Sequence, residues 1–377
     1  MYQYGQGVPK NSYNAVKWYT LSAEKGFAKG QKALGLMYIT GNGVPENKKN
    51  GSASRSYFMG FNVNWQNDIN LYQEEFKEAA KYSDIMMSVY NPSWEKLKNP
   101  TNSFYESSNI ERIIFEQNFI KENNKKSLLA FNIFESKNKD QLINLPVNYK
   151  QGSSLDTPII YNNLIEEIIF FAQAYEPDFF ALGVEINLTY EKNPSIFRSY
   201  LDLYSDAFKE IKKINPNIKI FPIFQYEELL GIMPDSPRHT PRWEMVNMFS
   251  KQIDLFAISS TPSNLSVTDR DVPANYYNQL TNITTRPIMF TGISFSGSKS
   301  LIEETPTISE QNRFIKTFFS DIKNLNCEAV IWIQLNDFID SNNGILYEYG
   351  LRDKDKKQKE AFNEWIKNLN NKKITKK

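Results

Sequence analysis

One cysteine and one histidine stand among 377 residues. A single cysteine excludes an intrachain disulfide, and a single histidine argues against Cys/His zinc sites. It also removes Ser-His-Asp and Cys-His schemes unless His239 is the base. We expect no metal and no cofactor. Net charge is equally scarce: 44 Lys and Arg against 43 Asp and Glu leave a formal +1. No basic bias points to nucleic acid or anionic lipid. No apolar run reaches the ~18–20 residues of a membrane-spanning helix. The groups left for acid–base chemistry are carboxylates. Aromatic residues, in contrast, are plentiful at 14%, and their faces suit stacking ligands such as sugars or bases. The length suits one large domain or two ordinary ones.

MYQYGQGVPKN at 1–11 recurs as MYITGNGVPEN at 37–47. A fixed period in this range marks a helical solenoid. Between the copies Ala15, Trp18, Tyr19 and Leu21 have helical spacing. Gly26 reads as a helix C-terminal cap, and Ala33, Leu34, Leu36 and Met37 open the next helix. The YGQGV turn places glycines where backbone angles go positive.

The LGxMYxxGxGV and AxxWYxxxAxxG signatures resemble Sel1-like repeats, relatives of tetratricopeptide repeats, over residues 1–50. The resemblance implies a right-handed stack of helix pairs that contacts a protein partner. The other reading is a cap on the next domain, since about three repeats are needed to bury a continuous core. The sequence opens inside a repeat, so further repeats and any export signal are expected upstream of Met1. An extracytoplasmic or periplasmic location would follow from such a signal, and the compartment is otherwise open. The polar NKKNGSASR at 48–56 reads as a linker. The division is then 1–50, a linker at 51–56, and a domain over 57–377.

From Tyr57 onward short apolar runs alternate with amphipathic stretches. Strands are expected at Tyr57–Val63, Ile85–Val89, Ser127–Phe134, Phe179–Ile186, Ile218–Phe224, Leu255–Ser259, Pro287–Thr291 and Ala329–Leu335. Helices are expected at 71–83, 110–122, 163–175, 200–214, 310–325 and 358–369, with a weak one in ANYYNQL at 274–280. This pattern predicts an α/β fold, a (β/α)8 barrel of TIM type preceded by a short all-α solenoid segment. A doubly wound sheet is the competitor, but no Gly-rich phosphate turn follows the first strand.

Chemistry in such barrels sits at the carboxyl ends of the strands. Those ends offer Asn64 and Trp65, Tyr90 and Asn91, Phe134 and Glu135, Glu185 and Asn187, and Gln225, Tyr226 and Glu227. Ser260 and Thr261, Thr291 and Gly292, and Asn336 and Asp337 complete the ring. Amides and carboxylates bond hydroxyls, and rings such as Trp65 and Tyr90 stack on the apolar face of a pyranose.

Four stretches, in this order and spacing, resemble the retaining glycoside hydrolases of clan A, and most closely uncharacterised bacterial members near the endo-galactanase type. They are MGFNVNWQ with SDIMMSVYNPSW, FALGVEIN, RPIMFTGISFSG with SEQNRF, and AVIWIQLNDF with YGLRDKDKKQKEAFNEW. The resemblance implies a poly- or oligosaccharide partner and makes Glu185 the general acid/base. A carboxylate after the apolar FFALGV is also costly unless used or paired. Asn187 would hold a sugar hydroxyl or orient Glu185. Trp332 would floor the sugar or fill the barrel core. Gln225 and Tyr226 would line the site or pack a loop, and Asp337 would bond a hydroxyl or cap its loop. Cys327 reads as a buried small residue. His239, in PDSPRHTPRW, reads as a surface histidine, with a substrate-binding loop as the alternative.

One position departs from the family pattern. Its seventh strand ends in a Thr-Glu-(Thr/Ile)-Gly type motif whose Glu is the nucleophile. Here the string is Phe290-Thr291-Gly292-Ile293-Ser294, and Gly292 takes that place. A retaining mechanism needs two carboxyls about 5–5.5 Å apart. Glu303 and Glu304 follow in the next loop and would serve only by folding back. Three functions stay open. One is a glycan-binding pseudoenzyme with impaired or absent hydrolysis. Another is an active glycosidase with a displaced or substrate-supplied nucleophile. The third is a non-catalytic interaction scaffold working through the repeats.

Overall fold

The computed structural model describes residues 54–98, 107–136, 138–150, 154–234, 236–249, 251–265, 272, 275–298, 306–340 and 344–373, with scattered positions between 15 and 33. The chain divides into two compact units, Met1–Ser54 and Arg55–Lys377. In the first, Ala15, Trp18, Tyr19, Leu21, Ser22, Lys29 and Ala33 are helical. The glycine turns of the repeat and Gly26 lie outside the described residues, as do Glu303 and Glu304. The second unit starts at Arg55, inside the stretch that reads as a linker. That guanidinium is buried, paired with Asp84 at 2.6 Å and bonded to the Leu369 carbonyl.

The second unit is a parallel barrel. Its strands are β1 Phe58–Asn62, β2 Ile85–Tyr90, β3 Lys126–Phe131, β4 Phe179–Leu182, β5 in two pieces at Lys219–Phe221 and Ile223–Gln225, β6 Phe256–Ser260, β7 Ile288–Ile293 and β8 Cys327–Trp332. Neighbours in sequence pair in parallel, and β8 returns to β1 with Val330 opposite Met59. The ring passes through β5. Its first piece pairs with β4 (Phe180 opposite Ile220), its second with β6 (Phe224 opposite Ile258). Pro222 separates the pieces because it brings no N–H to a ladder. The nine paired segments are thus eight strands. Tight packing of β1 on β2 requires Gly60, where a Cβ would fall 1.8 Å from the Ile85 carbonyl oxygen.

Amphipathic helices cover the ring. Pro194–Ile214 buries Phe197, Tyr200, Leu203, Tyr204, Ala207 and Ile211, a single face at helical spacing. Asn193 caps it by accepting from the Ser195 and Ile196 N–H groups, and Pro194 occupies the first turn. Ile308–Asp321 starts with a reciprocal capping box between Thr307 and Glu310. The weak helix expected in ANYYNQL is a 3-10 turn at Asn278–Asn282. Strand β4 stops at Leu182 rather than Ile186, because Gly183 turns to φ +95° and Ile186 already opens the helix Ile186–Lys192. Strand β8 stops at Trp332 rather than Leu335. Among the described residues no helix is long and apolar enough to cross a membrane.

Candidate functional site

Glu185 stands at the turn from β4 into the helix Ile186–Lys192. Its backbone is left-handed, φ 54° and ψ 44°, a conformation uncommon for a residue with a Cβ. Strain of this kind gathers at sites where a side chain must be aimed. The carboxylate accepts a hydrogen bond from Ser259 Oγ at 2.9 Å, and Lys139 Nζ lies 3.4 Å from its other oxygen. Lys139 is itself buried and also donates to the Val184 carbonyl at 3.3 Å. The Glu185 side chain keeps 29% exposure, so it remains open to a ligand.

Gly292 lies in β7, next to β6. Among the described residues, a Cβ built there meets only the Ser259 Cβ, at an ordinary 3.5 Å. Ser259 therefore touches both Glu185 and the space beside Gly292.

An open groove of about 870 Å3 lies over the carboxyl ends of β1 and β2. Trp65, Tyr90, Asn91 and Arg112 line it, joined by Phe338 and Tyr347 from beyond β8. Glu185 and Gly292 are not among the described residues that line it. Trp65 is half-buried, its Nε1 donating to Asn67 Oδ1 at 2.9 Å. Tyr90 is buried, with its hydroxyl on Glu116 and its ring 4.0 Å from the Arg112 guanidinium. Tyr72 and Tyr175 also donate to Glu116, and Arg112 pairs with it at 2.7 Å. This buried network fixes the groove floor.

Many solved structures resemble the barrel, and three of them are representative. One is the GH5_18 protein of Streptomyces cattleya in complex with GlcNAc, at TM-score 0.62 and 14% identity, over 86% of this chain and 83% of that one. Another is the exo-β-1,4-mannosidase of Opitutaceae bacterium strain TAV5, at 0.61 and 10%, over 85% and 61%. The third is xylanase 10B of Thermotoga maritima, at 0.57 and 12%, over 83% and 94%. The barrel has the fold of the clan A glycoside hydrolases. Residues 1–27 and 28–51 match the Sel1 repeat family. No curated protein matches the chain in sequence.

In this glycoside hydrolase-like barrel the remaining candidates are tied to their neighbours. Asn187 is fully buried. Its Nδ2 donates to the Gln225 carbonyl at 2.9 Å, and its Oδ1 accepts from the Gln225 N–H at 2.8 Å. The Gln225 side chain holds Glu227 Oε2 and the Glu228 N–H. Tyr226 is buried, stacked on Tyr277 and bonded to the Tyr276 carbonyl. Trp332 is buried and donates to the Tyr349 carbonyl at 2.8 Å. Asp337 pairs with buried Lys359 at 2.8 Å and accepts from the Gly350 N–H. Burial pushes its carboxyl up to about 6, against the pull of Lys359. Burial likewise raises the Glu227 carboxyl, which collects donors from Ser260, Gln225, Tyr276 and Thr261.

Two residues of the Glu185 setting escape a sequence reading. Lys139 sits in an irregular loop after β3, where no pattern singles it out. Ser259 is legible as a strand end, but only the fold brings it against Glu185.

Proposed function

We propose that the barrel binds a poly- or oligosaccharide at its carboxyl mouth and hydrolyses it weakly or not at all. Glu185 is the retained acid/base and Gly292 stands where the nucleophile would be. The observation that carries this reading is the room at Gly292: among the described residues, a Cβ there would meet only the Ser259 Cβ, at an ordinary 3.5 Å, and Ser259 is the residue that bonds Glu185. Retaining chemistry attacks the anomeric carbon from a carboxyl placed opposite the acid, and glycine supplies none. Lys139, Ser259 and Glu185 then act as donors and acceptor for sugar hydroxyls, and Trp65 offers a ring face for stacking. The Sel1 repeats supply a protein-binding segment in addition to the glycan-binding barrel.

A glycan array combined with an aryl-glycoside hydrolysis screen tests the proposal. Binding without turnover is the expected result. Turnover by the unaltered protein would mean that another carboxylate or the substrate itself supplies the nucleophile. Absence of glycan binding would leave the interaction-scaffold reading.

A further inference from the structure

The loop after β5 carries a cluster of ligating groups that the glycan reading does not use. Gly231, at φ +72°, lets the chain double back: a Cβ there would fall 2.0 Å from the His239 carbonyl oxygen. The return is tied by the His239 N–H on the Gly231 carbonyl and the Arg242 N–H on the Leu229 carbonyl. It brings His239 against Glu228, on the short helix Tyr226–Leu229, and against Glu191, near the end of Ile186–Lys192. One ligand atom from each of the three lies within 4.8 Å of the others.

Two observations point to a cation. Glu228 is 2% exposed, and among the described residues its Oε2 has no hydrogen-bond partner, while its Oε1 lies against His239. A buried carboxylate oxygen is expensive to leave unsatisfied. His239 Nδ1 lies 2.7 Å from the Thr240 carbonyl oxygen, which only accepts, so that bond assigns the ring hydrogen to Nδ1. In the neutral ring Nε2 then turns a bare lone pair towards Glu228 Oε1, 3.1 Å away. Two lone pairs so opposed repel unless a proton or a metal ion lies with them.

We propose that Glu191, Glu228 and His239 bind one divalent metal ion, with Zn2+ as the best match. One imidazole and two carboxylates are ligands that zinc accepts, at bond lengths of about 2.0–2.2 Å. With such bonds, the 3.1 Å between His239 Nε2 and Glu228 Oε1 corresponds to an angle of about 95° at the metal. Two carboxylates balance its charge. The His239 Nδ1–H on a backbone carbonyl is the outer bond that orients a metal-binding imidazole. Arg242, paired with Glu191, holds that carboxylate in the same outer manner. The ion would tie the segments after β4 and β5 together alongside the Asn187–Gln225 bonds. Its role is thus structural support for the turn that carries Glu185, and its existence does not depend on glycan binding. The scarcity of Cys and His excludes thiolate and multi-histidine zinc sites, but not one built mainly on carboxylates.

The chain has a single histidine, so its imidazole nitrogen resonances report this site alone. The full chain is freed of metal with a chelator and titrated with Zn2+ at pH 8. The Nε2 resonance is expected to move, saturating at one equivalent, and Tm to rise. Glu228→Gln should weaken Zn2+ binding by about tenfold or more, while the exposed Glu176→Gln should not. If Glu228→Gln fails to fold, Glu191→Gln serves as the second variant. Resonances unmoved at one equivalent would overturn the proposal. So would ligand variants that bind Zn2+ as tightly as the unaltered chain, or a ring still doubly protonated at pH 8 with Zn2+ present.

Discussion

Ser259 donates its hydroxyl to Glu185 at 2.9 Å, and its Cβ is the one described contact that a Cβ on Gly292 would make within 4 Å. Glu185 and Gly292, the proposed acid/base and the proposed place of an absent nucleophile, thus flank one serine. Gly292 has no positive φ that would oppose a side chain. Gly292→Glu is therefore expected to fold and to raise aryl-glycoside hydrolysis well above that of the unaltered protein. Adding Glu185→Gln should abolish the gain for substrates with poor leaving groups, which need a proton from the acid. Release of the aryl alcohol across a panel of glycosides measures both. Equal rates for the unaltered protein and Gly292→Glu would assign the nucleophile elsewhere.

Trp65 presents a half-exposed ring in the 870 Å3 groove. Removing the ring removes its apolar stacking face, so Trp65→Ala should weaken glycan binding. Calorimetric titration with a glycan identified on the array gives the value. Unchanged affinity would remove the groove from the binding surface.

Asn187 joins the segment after β4 to the end of β5 through two bonds to Gln225. Asn187→Ala leaves a buried N–H and C=O without partners and is expected to cost about 2–4 kcal/mol. Urea unfolding measures the loss. Stability within a few tenths of a kcal/mol of the original would mean that the Gln225 backbone finds other partners.

The barrel was legible because its parallel strands are buried on both faces and read as short continuous apolar runs. The helices announce themselves by faces such as Phe197, Tyr200, Tyr204 and Ile211. Boundaries were harder. Glu185 follows four buried strand residues with only Gly183 and Val184 between, and the chain turns at Gly183, where a Cβ would fall 2.7 Å from the Tyr200 hydroxyl. Pro222 is visible in the sequence, yet its effect, dividing β5 between two neighbours, depends on the closed ring. The positions of Glu185 and Gly292 near strand ends were legible, and the role proposed for them rests on the resemblance. Lys139 was not legible, because a loop side chain is placed by the path of the chain rather than by a repeat. Amides and aromatics at strand ends do not reveal which way they face. Asn187, Tyr226 and Trp332 all bond to backbone in the interior.

The groove wall carries a pH dependence that centres on Glu167. This residue lies on the helix Pro158–Ala174, 2% exposed, and accepts from the Ser93 N–H at 2.9 Å, the Ser93 hydroxyl at 3.1 Å and the Trp94 N–H at 2.9 Å. It thereby holds the turn in which Trp94 adopts φ 56°, and Ser93 in that turn lines the groove. Burial pushes its carboxyl from 4.5 up to about 7, although the three donors favour the charged form. The folded chain therefore binds the proton more tightly than the unfolded chain. The stabilisation is fully present below pH 4.5 and is lost as pH rises through 7. At 1.36 kcal/mol per unit, the upper bound on that loss is about 3 kcal/mol. Glu167→Gln cannot ionise, and its amide oxygen can still accept from Ser93 and Trp94. Against this variant, the unaltered protein should lose relative stability between about pH 4.5 and 7, with no further change above pH 8. Denaturant unfolding of both proteins at pH 4.5, 6, 7 and 8 measures the difference, which cancels every other titrating group. A difference constant with pH would show that Glu167 keeps its charge when buried, and that its three donors outweigh the loss of water.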